Sequence, residues 1–255
     1  FVAIAPFLLT MVLRRQGAVR HDYEVEKSVH DRKKAYVWRK FFFHENMEEL
    51  RTSDAYSILD HLNREAETGN CTLAREKGGT LVLLGMLAGA FIAIGASSSS
   101  AAVYGISNTG LAKSLAGAIF PVGLMFVVLI GAELFTGDCL MSFAVFDKRI
   151  KLLDMIRVLV VVFITNLIGA CIVVVLVNRC GQLDYGNGAL AAATIKTAYS
   201  KMNLSFMKAF TSGIMCNILV CLAVLLAGVC QDAIGKIFAC FFPIWAFVIA
   251  GYEHC

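Results

Sequence analysis

From residue 78 onward the chain consists of apolar runs of about 20 residues separated by short polar stretches, the length needed to cross a ~30 Å hydrocarbon core at 1.5 Å per residue. The pattern predicts spans at about 80 to 104, 112 to 146, 154 to 177 and 206 to 230, with a fifth beginning near 235. Two of them break alike. The second, after Phe120-Pro121, runs into Gly131-Ala-Glu133-Leu-Phe135-Thr136-Gly137-Asp138, with the interruption expected near 134 to 138. The fifth, after Phe242-Pro243, runs into Gly251-Tyr252-Glu253-His254-Cys255. This recurrence reads as an internal repeat. Matching interruptions in two halves of a membrane protein usually mark a solute site, because non-helical backbone at bilayer depth survives only where protein buries it or where it lines a cavity.

If the second half repeats the first, a continuation of the fifth segment and a sixth span follow Cys255, so the chain reads as a fragment lacking its C-terminal end. The start at Phe1 rather than Met points the same way at the other end. Residues 14 to 77 reverse the apolar pattern and are crowded with Arg, Lys, Asp and Glu, which divides the chain into an extension over 1 to 75 and a membrane domain over 76 to 255. Phe1 to Leu13 is apolar but too short to span, and Arg14-Arg15 follows it, as in the tail of a targeting segment or of an upstream span. Thr52-Ser53-Asp54 before Ala55 to Leu62 predicts a capped helix near 53 to 66 in an otherwise solvated cytoplasmic extension.

Composition agrees with a membrane domain. The chain is 58% hydrophobic and 16% charged with a mean hydropathy of +0.70, well beyond an ordinary soluble domain. Its net charge of +4 reads as an orientation signal rather than a nucleic-acid surface. The basic N-terminal region, the cluster Lys148, Arg149 and Lys151, and Lys236 share one side, assigned to the cytoplasm. Lys113 and a longer loop from about 178 to 205, with Arg179, Lys196 and Lys201, lie opposite. Nine cysteines are scattered, mostly inside spans, with no C-x-x-C pair and no partnering histidines, so cysteine acts here as a small apolar residue and neither a metal site nor a cofactor is expected. In the first span Gly85, Ala88, Gly89, Ala93, Gly95, Ala96 and Ser97 to Ser100 let helix backbones approach closely.

The candidate chemistry lies in the breaks. A charge inside a span costs about 2.5 to 3.5 kcal/mol, so Glu133 and Glu253 need partners or water. Their matched placement suggests that both accept from exposed backbone N–H groups and hold each loop in shape, with direct contact to solute as the alternative. Asp138, just past the first break, is expected to cap a resumed helix from Cys139 to Phe146. His254 is the only histidine of the membrane domain, since His21, His30, His44 and His61 all precede residue 70. A lone membrane histidine is often a hydrogen-bonded packing residue. Here it sits in the second break, opposite the motif that holds Thr136, and imidazole changes charge near neutral pH.

Four segments in order, Gly85-Met-Leu-Ala-Gly-Ala-Phe91, Ala132-Glu-Leu-Phe-Thr-Gly-Asp138, Cys216-Asn-Ile-Leu-Val-Cys-Leu-Ala223 and Gly251-Tyr-Glu-His-Cys255, resemble the formate/nitrite transporters over about residues 76 to 255, in a eukaryotic-type member. The resemblance implies an all-α, aquaporin-like bundle of six spans in two inverted halves with two broken helices, the fifth span truncated and the sixth absent here. It also implies a homopentamer with one pore per protomer. On that resemblance Thr136 and His254 belong at the pore centre, Phe120, Leu124, Phe135 and Phe247 at apolar constrictions, and Lys201 and Asn217 toward the outer vestibule, where Lys201 raises local anion concentration. The implied cargo is a small monovalent weak-acid anion of the formate, nitrite, lactate or hydrosulfide kind, assisted by protons, in a lipid-embedded protein of the plasma membrane or of an organelle envelope. Tyr252 stands where many bacterial members have phenylalanine, and Gly137-Asp138 where many have Ser-Asn or Ser-Thr. Two rivals fit less well. A neutral-solute channel of the aquaporin type shares the fold but carries two Asn-Pro-Ala motifs, and this chain has no Asn-Pro pair. A membrane-embedded enzyme using His254 with Glu253 or Glu133 needs a nucleophile or metal cluster for which the cysteines lack ligand spacing.

Overall fold

In hydrocarbon every backbone N–H must find its acceptor within its own segment, so even the β-branched run Val158-Leu-Val-Val-Val162 is helical. The computed structural model describes residues 73–74, 78–230 and 232–254, and among them all regular elements are helices. The extension predicted over 1 to 75, with its helix near 53 to 66, lies outside the described residues except for Leu73 and Ala74.

Helix α1 spans Gly78–Val103, α2 Thr109–Ile119, α3 Val122–Ile130, α4 Phe135–Asp138 and α5 Met141–Phe146. Then follow α6 (Leu152–Arg179), a 3-10 turn (Gln182–Asp184), α7 (Ala189–Met202), α8 (Phe206–Val229) and α9 (Ala233–Ala250). Five membrane-length apolar helical units result among the described residues: α1, α2 with α3, α6, α8 and α9. Their starts fall within a few residues of the predicted ones, and the second reaches its predicted end near 146 only with α4 and α5 beyond the break. Caps explain two of the starts, because the Asn108 side chain accepts from the Leu111 N–H at 3.0 Å and Asp232 from the Gly235 N–H at 2.7 Å. Pro121, which lacks an N–H, separates α2 from α3 without ending the span.

The segment from 178 to 205, expected as a loop, instead contains α7. Its sequence Ala-Leu-Ala-Ala-Ala-Thr-Ile-Lys-Thr-Ala-Tyr-Ser-Lys-Met is rich in the best helix former, and intrinsic propensity outweighs its lack of length for a span.

Helices α1 and α6 meet backbone to backbone. A Cβ added to Gly89 would lie 1.9 Å from the Asn166 carbonyl oxygen, one added to Gly169 would lie 1.9 Å from that of Met86, and one added to Gly85 would lie 2.0 Å from Thr165 Oγ1. No side chain fits at these three sites, so the small residues set the depth of this crossing. A looser contact of the same kind joins α1 to α3, where Cβ atoms on Gly95 and Gly123 would each meet a carbonyl at 2.9 Å. The main core then gathers Ala88, Leu124, Val127, Leu134, Val220, Ile244 and Phe247 from α1, α3, the first break, α8 and α9. Both breaks therefore sit against the same packed interior.

Candidate functional site

Helices α3 and α9 end in the same way, residue for residue. Gly131 (φ 75°, ψ 43°) and Gly251 (φ 74°, ψ 33°) both adopt the left-handed conformation that glycine reaches without a Cβ penalty. The N–H groups of Gly131 and Ala132 both donate to Val127 O at 2.9 Å, and those of Gly251 and Tyr252 to Phe247 O at 3.0 and 3.1 Å. This shared Schellman-type ending is the structural content of the internal repeat.

After Gly131 the chain is non-helical through Leu134 and resumes at Phe135, so the interruption lies three residues earlier than expected. Its backbone needs acceptors and donors that no helix supplies. The Glu133 N–H donates to Leu84 O at 3.3 Å. The rest falls to Asn166 of α6, whose Nδ2 donates to Glu133 O at 2.9 Å and to Gly85 O at 2.8 Å, while its Oδ1 accepts from the Phe135 N–H at 3.1 Å. One amide thus ties both sides of the break to α1. Two carbonyl partners and one N–H partner also fix which amide atom is which.

Asp138 closes α4 rather than opening a helix, so the expected cap on a helix from Cys139 is not what it forms; the resumed segment starts at Phe135 with Leu134 in the cap position. The Asp138 carboxyl is buried near that of Glu133, and its Oδ2 has no partner among the described residues. Thr136 is 1% exposed, and its Oγ1 is likewise without a partner there, while its carbonyl accepts from the Cys221 thiol of α8 at 3.5 Å. A buried polar atom without a partner costs about 1 to 3 kcal/mol.

The second break is tethered by side chains of α7 and α8. The Glu253 N–H donates to Ser212 Oγ at 2.8 Å, and the Glu253 carboxylate forms an ion pair with Lys201. The His254 ring lies 6.0 Å from that of Phe247, which in turn meets Phe120 edge to face at 5.8 Å. Phe120, Phe247 and His254 are thus in one aromatic series. Phe135 packs instead on Phe163 of α6 at 5.4 Å, Leu124 is buried in the main core, and Asn217 of α8 keeps a buried Oδ1 with no partner among the described residues.

Reasoning from sequence missed Asn166, Ser212 and Trp245, whose indole N–H donates to Ser114 O at 3.0 Å and ties α9 to α2. For Asn166 a signal existed, because Thr165-Asn166 is a polar pair in the middle of the stretch from Val158 to Val177, apolar but for these two. For Ser212 none did.

Comparison with known proteins is consistent across sequence and structure. The family model described as formate/nitrite transporter matches residues 61–255. A probable formate transporter of Methanothermobacter thermautotrophicus is 41% identical over 221 residues, covering 80% of this chain and 77% of that protein. The formate channel FocA of Haemophilus influenzae is 36% identical over 146 residues, and the chain spans about half of its length, 51%. Among solved structures, a pentameric formate channel with formate bound superposes with a TM-score of 0.62 at 31% identity, covering 70% of this chain and 71% of the other.

Proposed function

Because the chain belongs to the formate/nitrite transporter family, whose members are transporters and channels rather than enzymes, we propose that it passes small monovalent anions of weak acids, formate and nitrite first, through a pore in each protomer. The carrying observation is the pair of matched breaks with the Phe120–Phe247–His254 series beside the second. Apolar rings make a bare anion costly to desolvate and favour a neutral weak acid. Charge is then handled between the constrictions, where Thr136 Oγ1 and the His254 imidazole offer hydrogen bonds or a proton to a carboxylate or nitrite oxygen. Lactate and hydrosulfide share this chemistry and are second-rank cargoes.

In this reading the Phe120–Phe247 pair and Leu124 form one apolar ring and Phe135 contributes to the other, Asn217 offers its buried amide to the permeating solute, and Glu133, Glu253 and Asp138 brace the two loops. The protein is an integral, multi-pass membrane protein. Its assembly as a homopentamer is proposed from the pentameric relative and fits the apolar faces that α6 and α8 turn outward, including Phe163, Leu167, Val174, Phe210, Ile218 and Leu226. The plasma membrane is the proposed location.

The test is flux into proteoliposomes. Formate and nitrite should equilibrate faster than in protein-free vesicles, with the rate rising as pH falls, whereas glycerol should not. Glycerol flux matching that of formate would overturn the anion reading in favour of a neutral-solute channel.

A further inference from the structure

We propose that Lys113 is an anion-docking residue of this pore, receiving a monovalent carboxylate or nitrite before it reaches the Phe120–Phe247 pair. The inference rests on the pore reading above for what the docked anion does next. Lys113 lies on α2 and is exposed, yet its ammonium reaches the second break: a Cβ built on Gly251 would lie 2.9 Å from Lys113 Nζ and 3.9 Å from its Cε. The bare backbone of Gly251 is what admits the ammonium. Gly251, which the ammonium approaches, is two residues before Glu253 and three before His254, on the loop the central histidine occupies.

Position along the helix supports docking. Lys113 and Phe120 are seven residues apart, hence on one stripe of the α2 helix, about 10 Å or two turns apart along its axis. On the facing helix Phe247 and Gly251 are four apart and share a stripe as well. The Phe120–Phe247 ring contact and the Lys113–Gly251 approach are thus successive contacts of the same two helix faces. An anion touching the ammonium is one step outside the aromatic pair.

Charge points to Lys113 rather than to Lys201. The Lys201 ammonium is matched by the Glu253 carboxylate, so the pair presents little net field to an approaching anion. Lys113 has no ion pair and no hydrogen bond to any described residue, and all three of its N–H donors remain available. A compact ammonium is a point charge suited to a small anion of any shape, which fits a docking step that does not discriminate formate from nitrite.

The experiment uses the full chain in proteoliposomes, with formate flux measured for the parent, Lys113→Met, Lys113→Gln and Lys113→Arg at low and at high ionic strength. Removing the charge should raise the KM for formate by about three- to tenfold at low salt, the range one partly screened charge supplies. The gap should close at high salt, with maximal rate and pH profile as in the parent, and Lys113→Arg should stay near the parental KM. In parallel, acetylation of Lys113 by an amine reagent, read by mass spectrometry on the detergent-solubilised parent, should slow when formate or nitrite is added and not when glycerol is. That second measurement holds even if the parent shows no flux, a result that would count against the proposed function instead. An unchanged KM, a fall in maximal rate with KM intact, or acetylation indifferent to the anions would each overturn the docking role.

Discussion

Asn166 is the group on which the first break depends, and removing it should be felt in both stability and flux. Replacing it with alanine strands Glu133 O and the Phe135 N–H in a part-buried loop, at about 1 to 3 kcal/mol each, while Gly85 O keeps its helical donor and adds little. The expected loss is therefore about 2 to 6 kcal/mol, a large share of a typical ~5–15 kcal/mol stability. At about 2 to 4 °C per kcal/mol for a chain of this size, the melting temperature of the solubilised protein should fall by roughly 10 °C. Asn166→Asp is the sharper variant, since it keeps the acceptor for Phe135 but turns an oxygen toward two carbonyls that the native amide approaches at 2.8 and 2.9 Å. It should melt no higher than the alanine variant despite its closer shape. Melting followed by size-exclusion chromatography and formate flux checks both. If the two variants melt with the parent and conduct at its rate, the amide does not hold the loop and the reasoning fails.

His254→Phe should remove the pH dependence of anion flux while leaving the oligomer intact, and an unchanged pH profile would take His254 out of the mechanism. Phe120→Ala or Phe247→Ala should open the edge-to-face pair and admit anions larger than lactate; retained exclusion of such anions would reduce both rings to packing. Lys201→Ala should depress flux by leaving the Glu253 carboxylate without its cation, and Glu253→Gln in the same chain should restore part of it; a double variant no better than the single would separate the two residues. Gly89→Val should prevent assembly altogether, as its Cβ meets the Asn166 carbonyl at 1.9 Å, and a folded, conducting variant would contradict the close crossing of α1 and α6.

The spans were legible because length and apolarity alone decide whether a segment can cross a bilayer, and the two breaks because Gly131 and Gly251 recur with an acidic residue two positions on. The extent of the first break was not legible. Asp138 has the character of a cap, but a left-handed glycine ends a helix at its own position, and the loop needs only Ala132 to Leu134 before Phe135 resumes. Helix α7 escapes a search for spans, because 14 alanine-rich residues are too short to cross a bilayer but ample to fold. The pairing of Lys201 with Glu253, 52 residues apart, joins α7 to the second break through tertiary packing that no local pattern encodes. The same holds for Lys113 over Gly251.

The two breaks differ in mechanical compliance, although their backbones end alike. The first is bolted to a seam in which main chain touches main chain at Gly89 and Gly169, and its bolt is one amide with three bonds. The second hangs from a serine hydroxyl and an exposed ion pair, tethers whose side chains retain rotatable bonds. On the pore reading proposed above, a solute passing between the breaks would press on an anvil at Glu133–Thr136 and on a spring at Gly251–His254, so the stiffness of the Lys201–Glu253 tether would set how large a passenger is carried.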